Sequence, residues 1–209
     1  MTHPISRREL LYAQATVLAA IVLQLTLTEK LRFGPHYLVV VLELLLVLGI
    51  GFTGPKRHEK QSNTHRNISV LLISLVSLAN AGQLALLTRA LLENSTLPGK
   101  TLLTGAMAIF LTNIIMFALW FWEMDSPGLT GRRKTDANEN FLFPQLDKKE
   151  NWKPTFPDYL YTSLTNSTAF SPTDTLPLTH AAKGLMSLQA LVSLITVVLV
   201  TARAVNILG

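Results

Sequence analysis

Between Asp158 and Thr179 the chain reads DYLYTSLTNSTAFSPTDTLPLT, directly ahead of its last long apolar run. Thr162, Ser163, Thr165, Asn166 and Thr168 crowd hydroxyls and an amide into one short stretch. Such groups hold water or ions through partial charges and do not titrate. They are equally the groups that bind one helix to another in an apolar medium. Ala169, Phe170, Ser171, Pro172, Thr173 and Asp174 follow. Asp174 has two readings: an acid at a pore mouth that concentrates cations, or a cap on the turn before Pro177.

A second set of polar residues is scattered through apolar runs. Glu43 sits in VLELLL. An ionisable residue at such depth marks a functional site by default. The plainer alternative places it near an interface, or in a hydrogen bond to a neighbouring helix. Asn80 and Gln83 lie one turn apart in the third apolar run, and Asn113 lies in the fourth. Hydrogen bonding between helices explains them more simply than an ion path. Gly49, Gly51, Gly82 and Gly105 are positions where helices can approach closely.

Conventional catalytic chemistry is not indicated. The chain has no Cys, which removes disulfides and thiolate metal sites. His3, His36, His58, His65 and His180 are spread over loops, and no carboxylate cluster joins His58 and His65, so no metal and no other cofactor are expected. No Ser-His-Asp arrangement and no phosphate-cradling glycine loop is visible. Glu43 is the lone acid placed where an intramembrane enzyme would need a pair. The chain is therefore not expected to be an enzyme.

The elements that must position these residues are membrane spans. Of 209 residues 49% are hydrophobic and 15% charged, and the apolar ones come in blocks. Five spans are expected: 10–28, 37–53, 68–91, 101–122 and 181–208. The fourth closes with Trp120-Phe121-Trp122, which reads as an interfacial aromatic belt. Residues 125–157 read as an extended polar, basic loop between a four-helix part, 1–124, and a last unit, 158–209. No cleaved leader is expected, because the first apolar run has span length.

If the spans alternate, one side carries Arg7, Arg8, Lys56, Arg57, Lys60, Arg66, Arg132, Arg133, Lys134, Lys148, Lys149 and Lys153, with Lys183 at its edge. The other carries Lys30, Arg32, Arg89, Lys100 and Arg203. This bias puts the N-terminus and the long loop in the cytoplasm of a multi-pass protein of the bacterial inner (cell) membrane. The net charge of +5 is explained by topology and anionic lipid, so nucleic acid is not an expected partner.

In the polar stretch, Asp158 is expected to N-cap a short helix from Tyr159 to about Ala169. Such a helix covers about half a bilayer. Phe170-Ser171-Pro172 ends it, and Pro177 keeps the following residues extended. Half-helix, extended return and full span together make an all-α membrane fold with a re-entrant segment.

This C-terminal part resembles the pore loop and inner helix of the potassium-channel superfamily. Tyr161, Ser163 and Thr168 match its aromatic-x-Ser pore helix, and Asp174, Pro177 and Thr179 match the residues after its filter. The likeness covers about the last 50 residues. Residues 169–173 lack the filter glycines, so it does not imply potassium selectivity. The whole chain is also similar to a group of uncharacterised bacterial multi-pass proteins that pair WFWEMD with a DYLY…FSPTD segment.

The resemblance implies a pore-loop, channel-like protein passing cations with weak selectivity, in which Thr165, Thr168 and the filter-position residues Ala169, Phe170, Ser171, Pro172, Thr173 and Asp174 line or shape the path. Because one chain supplies one loop, it also implies a homo-oligomer, most simply a tetramer. Two other readings stand beside it. One is a non-conducting scaffold or interaction protein of pore-type architecture. The other is a proton-coupled transporter using Glu43.

Overall fold

The computed structural model describes residues 2–4, 6–35, 37–52, 63–93, 97–125, 132–134, 140–147, 152–169 and 175–208. They form six α-helices: α1 (Arg7–Thr26), α2 (Leu38–Phe52), α3 (Asn63–Leu92), α4 (Gly99–Asp125), α5 (Phe156–Thr168) and α6 (His180–Leu208). Two short antiparallel ladders accompany them. β1 (Thr2–Pro4) pairs with β2 (Arg132–Lys134), and β3 (Phe141–Leu142) pairs with β4 (Leu176–Pro177).

Four helices are long and apolar enough to cross a membrane: α1, the Asn67–Leu92 part of α3, α4, and the His180–Ala202 part of α6. The fold is thus an all-helical one of the multi-pass membrane type. The expected fifth span, α2, is apolar but has only 15 residues. That is about 22 Å of helix against about 30 Å of hydrocarbon.

Side-chain hydrogen bonds fix the directions of the helices. Gln14 Nε2 donates to the Val47 carbonyl (3.2 Å), Gln24 and Gln83 pair through their amides, and Trp120 Nε1 donates to Ser77 Oγ (3.0 Å). Consecutive helices α1 to α4 therefore alternate in direction. The start of α1 and the ends of α2 and α4 share one end of the bundle.

Packing is arranged around α4, which touches α1, α3, α5 and α6. Of its apolar window 72% is buried, against 22% for α6. The outward faces are apolar: Leu11, Leu18, Val22, Leu44, Leu78 and Leu191 are all exposed. Gln24, Asn80, Gln83, Asn166 and Gln189 are buried. Polar inside and apolar outside is the distribution that lipid, rather than water, selects.

The structure corrects two local expectations. Phe121 and Trp122 have no exposed surface, so they are core residues and not an interfacial belt. Their rings pack against Phe141 and Phe156, whose centroids lie 5.2 Å away in each case. The stretch after α4 is also more than a polar loop. Phe141 and Phe143 are buried in the same cluster as Leu10, Trp122 and Met186.

Close approach explains Gly82. A Cβ there would collide with the ring of Phe33, which the α1–α2 connection lays over α3. Gly49 of α2 has open space around it. Gly82→Leu is expected to cost about 1–3 kcal/mol by overpacking. Gly49→Ala should leave stability unchanged or slightly raised. Thermal unfolding of the two variants in one detergent distinguishes them.

Candidate functional site

The polar stretch becomes α5, with Thr155 as its N-cap. The Asp158 carboxylate accepts from both the backbone N–H and the hydroxyl of Thr155, each at 2.7 Å. Asp158 is therefore the third residue of the helix and not its cap. The helix starts earlier than expected because Pro157 suits a first turn, where its missing N–H would have no helical partner.

α5 runs back along the C-terminal half of α4. At its start Phe156 meets Trp122, and farther on Ser163 Oγ donates to the Ile114 carbonyl (2.6 Å). The chain then returns. Thr175 Oγ1 lies 3.1 Å from Thr162 Oγ1, and β4 pairs with β3 beside the end of α4. Thr179 Oγ1 donates to Asn140 Oδ1 (2.7 Å), and α6 begins at the next residue. α5 and the described return from Thr175 thus lie side by side as a hairpin, with Phe156 and Thr179 both near the end of α4.

Two carboxylates hold the base of this hairpin. Asp125 Oδ2 accepts from the Tyr159 hydroxyl (2.7 Å), and its Oδ1 accepts from the N–H of Phe141 (3.2 Å). Glu9 of α1 is buried, and its Oε1 accepts from Trp122 Nε1 (3.0 Å) and from the Phe156 N–H (3.1 Å). A carboxylate at the first N–H of a helix is favoured by the helix dipole. Glu9 was not expected to be a site residue. Its signal was local, since Ser6-x-x-Glu9 reads as a helix start, whereas its partners lie more than 110 residues away.

The polar face of α5 points into the protein. Thr162, Ser163, Asn166 and Ser167 are buried, and all but Thr162 surround Gln189 of α6. Gln189 Nε2 donates to Ser163 Oγ (2.6 Å), Ser167 Oγ (2.7 Å) and the Ser163 carbonyl (3.0 Å). Its Oε1 accepts from Asn166 Nδ2 (2.9 Å), which also donates to the Met186 carbonyl (2.9 Å).

The residues expected to be pore- or filter-like are not part of the Gln189 cluster where they are described. Thr165 is half-buried, and Thr168 and Ala169 are exposed. Their hydroxyls turn back onto the helix: Thr165 Oγ1 donates to the Tyr161 carbonyl (3.0 Å) and Thr168 Oγ1 to the Leu164 carbonyl (2.8 Å). Phe170, Ser171, Pro172, Thr173 and Asp174 lie outside the described residues.

The other expected polar positions split by environment. Gln83 is paired with Gln24, and Asn80 Nδ2 donates to the Ile109 carbonyl (3.3 Å). These are the interhelical bonds the sequence suggested. Asn113 is buried with Nδ2 unpartnered, and Glu43 is fully buried with neither carboxyl oxygen hydrogen-bonded. Among the described residues no group of His, Asp and Glu is placed to hold a metal.

No known family, curated protein or solved structure matches this chain.

Gln189 and the outward threonines should respond oppositely to substitution. Gln189→Leu leaves Ser163, Asn166 and Ser167 short of partners and is expected to cost about 1–3 kcal/mol. Thr165→Val and Thr168→Val should stay within about 0.5 kcal/mol. Unfolding midpoints in detergent check both.

Proposed function

We propose that this is a non-conducting integral membrane protein that keeps a pore-loop-type hairpin as an internal brace and acts through interaction. In this reading the hairpin re-enters the bilayer from the cytoplasmic side of a bacterial inner membrane. The observation that carries it is the inward-facing polar surface of α5, whose hydrogen bonds close on α4 and α6 of the same chain. A loop that lines a conduit needs polar groups turned to water.

The wall helix supports the same reading. Between residues 188 and 198 the exposed residues of α6 are all apolar, and Gln189, Ser193 and Thr196 are buried. A pore walled by the outer face of α6 would be lined with Leu, Ile and Val.

A cation-passing, tetrameric channel is the second reading. The hairpin geometry favours it, since α5 and the described return lie side by side ahead of α6. In that case Thr165, Thr168 and the residues up to Asp174 would border the path.

The purified full chain in liposomes separates the two. Cation flux equal to that of empty liposomes, with a mass in detergent of one or two chains, is the expected result. Flux above that background, altered by Asp174→Asn in a tetramer, would overturn the proposal in favour of the channel.

A further inference from the structure

The base and the polar face of α5 are internally satisfied, but a second polar layer is not. Glu43 has no exposed surface, and both its oxygens lack a hydrogen-bond partner. Asn80 Oδ1 and Thr112 Oγ1 are also buried without one. Unpaired polar groups are costly in an apolar interior, and three helices each carry one here.

Register brings these groups level. Val39 of α2 and Gln83 of α3 border the same small cavity. The two helices run in opposite directions, so one turn farther along α2 stands Glu43 and one turn back along α3 stand Ala79 and Asn80. Asn80 in turn reaches the Ile109 carbonyl of α4, one turn before Thr112. Glu43 and Asn80 therefore occupy one level of the bundle, with Thr112 within about one turn of it.

No charge of the surrounding helices answers Glu43 at that level. After Glu9, α1 carries only one titratable side chain, Tyr12, which is exposed. From Asn67 to Thr88 of α3 and from Thr101 to Trp122 of α4 there is no titratable side chain at all. The layer thus holds a carboxyl, an amide oxygen and a hydroxyl, with no cationic side chain on these stretches of α1, α3 and α4 to answer them. Asn113 Nδ2, though also unpartnered, does not reach any of them within hydrogen-bond distance.

We propose that Glu43, with Asn80 and Thr112, forms a buried binding site for a small monovalent cation, either a proton or a sodium ion. A hard cation is what carboxyl, amide and hydroxyl oxygens on neighbouring helices bind. A carboxyl inside a membrane bundle is the usual carrier of protons or ions. The site does not depend on the α5 hairpin and stands whether or not the chain conducts.

Labelling by N,N′-dicyclohexylcarbodiimide tests it on the full wild-type chain in liposomes. This apolar reagent adds a protonated carboxyl across one C=N bond, oxygen to carbon and proton to nitrogen, and an acyl shift then fixes the product. Peptide mass spectrometry is expected to find the adduct on Glu43. If the cation is a proton, labelling falls by about tenfold per pH unit above the midpoint and ignores sodium. If it is sodium, labelling also falls when sodium chloride replaces choline chloride at constant pH.

Two results would overturn the proposal. One is an unlabelled Glu43 across about pH 5 to 9 in a detected peptide. The other is labelling that responds to neither pH nor sodium. Glu43→Gln adds an independent readout, because any sodium-dependent rise in the unfolding temperature should vanish in it while the variant itself stays folded.

Discussion

Gln189 is the residue on which the C-terminal half depends. A single side chain amide, with no exposed surface, joins α6 to three polar positions of α5. α5 is short, and a helix of 13 residues is marginal by itself. Its hydroxyls and amide would be costly against an apolar surface without partners. Gln189 and the Ile114 carbonyl supply those partners, and the hairpin takes its position along α4 from them. The threonine-rich composition thus serves cohesion within the chain at four positions, and only its outward face remains for anything else.

The base of the hairpin is held by a different device. Glu9 ties the start of α1 to the end of α4 and to the start of α5, and Asp125 ties the end of α4 to Tyr159 and to the β3 strand. Around them Phe121, Trp122, Phe141 and Phe156 form a closed aromatic cluster. Indole, phenol and backbone N–H groups all donate to these two carboxylates. The opposite end of the bundle is simpler, with Leu27, Leu31, Leu87, Leu91 and Leu102 packed together and the Gln24–Gln83 pair above them. Polar satisfaction is therefore concentrated where the hairpin docks, and Glu43 stands out because it has none.

Much of the helical architecture was legible in advance. Four of the five expected spans match the membrane-length helices α1, α3, α4 and α6 to within a few residues, because an apolar run of that length has few other fates, while the other forms α2, a helix too short to cross. The roles of Asn80 and Gln83 were legible too, since an amide inside an apolar run is stabilised by a hydrogen bond to another helix. Less could be read from Trp120-Phe121-Trp122. Aromatic clusters at span ends serve either as interface anchors or as core, and only packing against Phe141 and Phe156 decides between them. Glu9 was illegible for a similar reason: nothing near residue 9 reveals that Trp122 and Phe156 will arrive beside it.

By itself, the sequence determined that the chain is a bundle of apolar helices with a short polar helix before the last one, because hydropathy and proline placement act locally. Tertiary structure alone decided which way that polar helix faces. A helix bearing Thr, Ser and Asn around much of its circumference can turn any side inward, and the choice here follows Gln189, which is distant in sequence and reaches Ser163, Asn166 and Ser167 only once α6 has packed against α4. The same holds for Glu43, because only the packed bundle leaves both its oxygens buried without a hydrogen-bond partner.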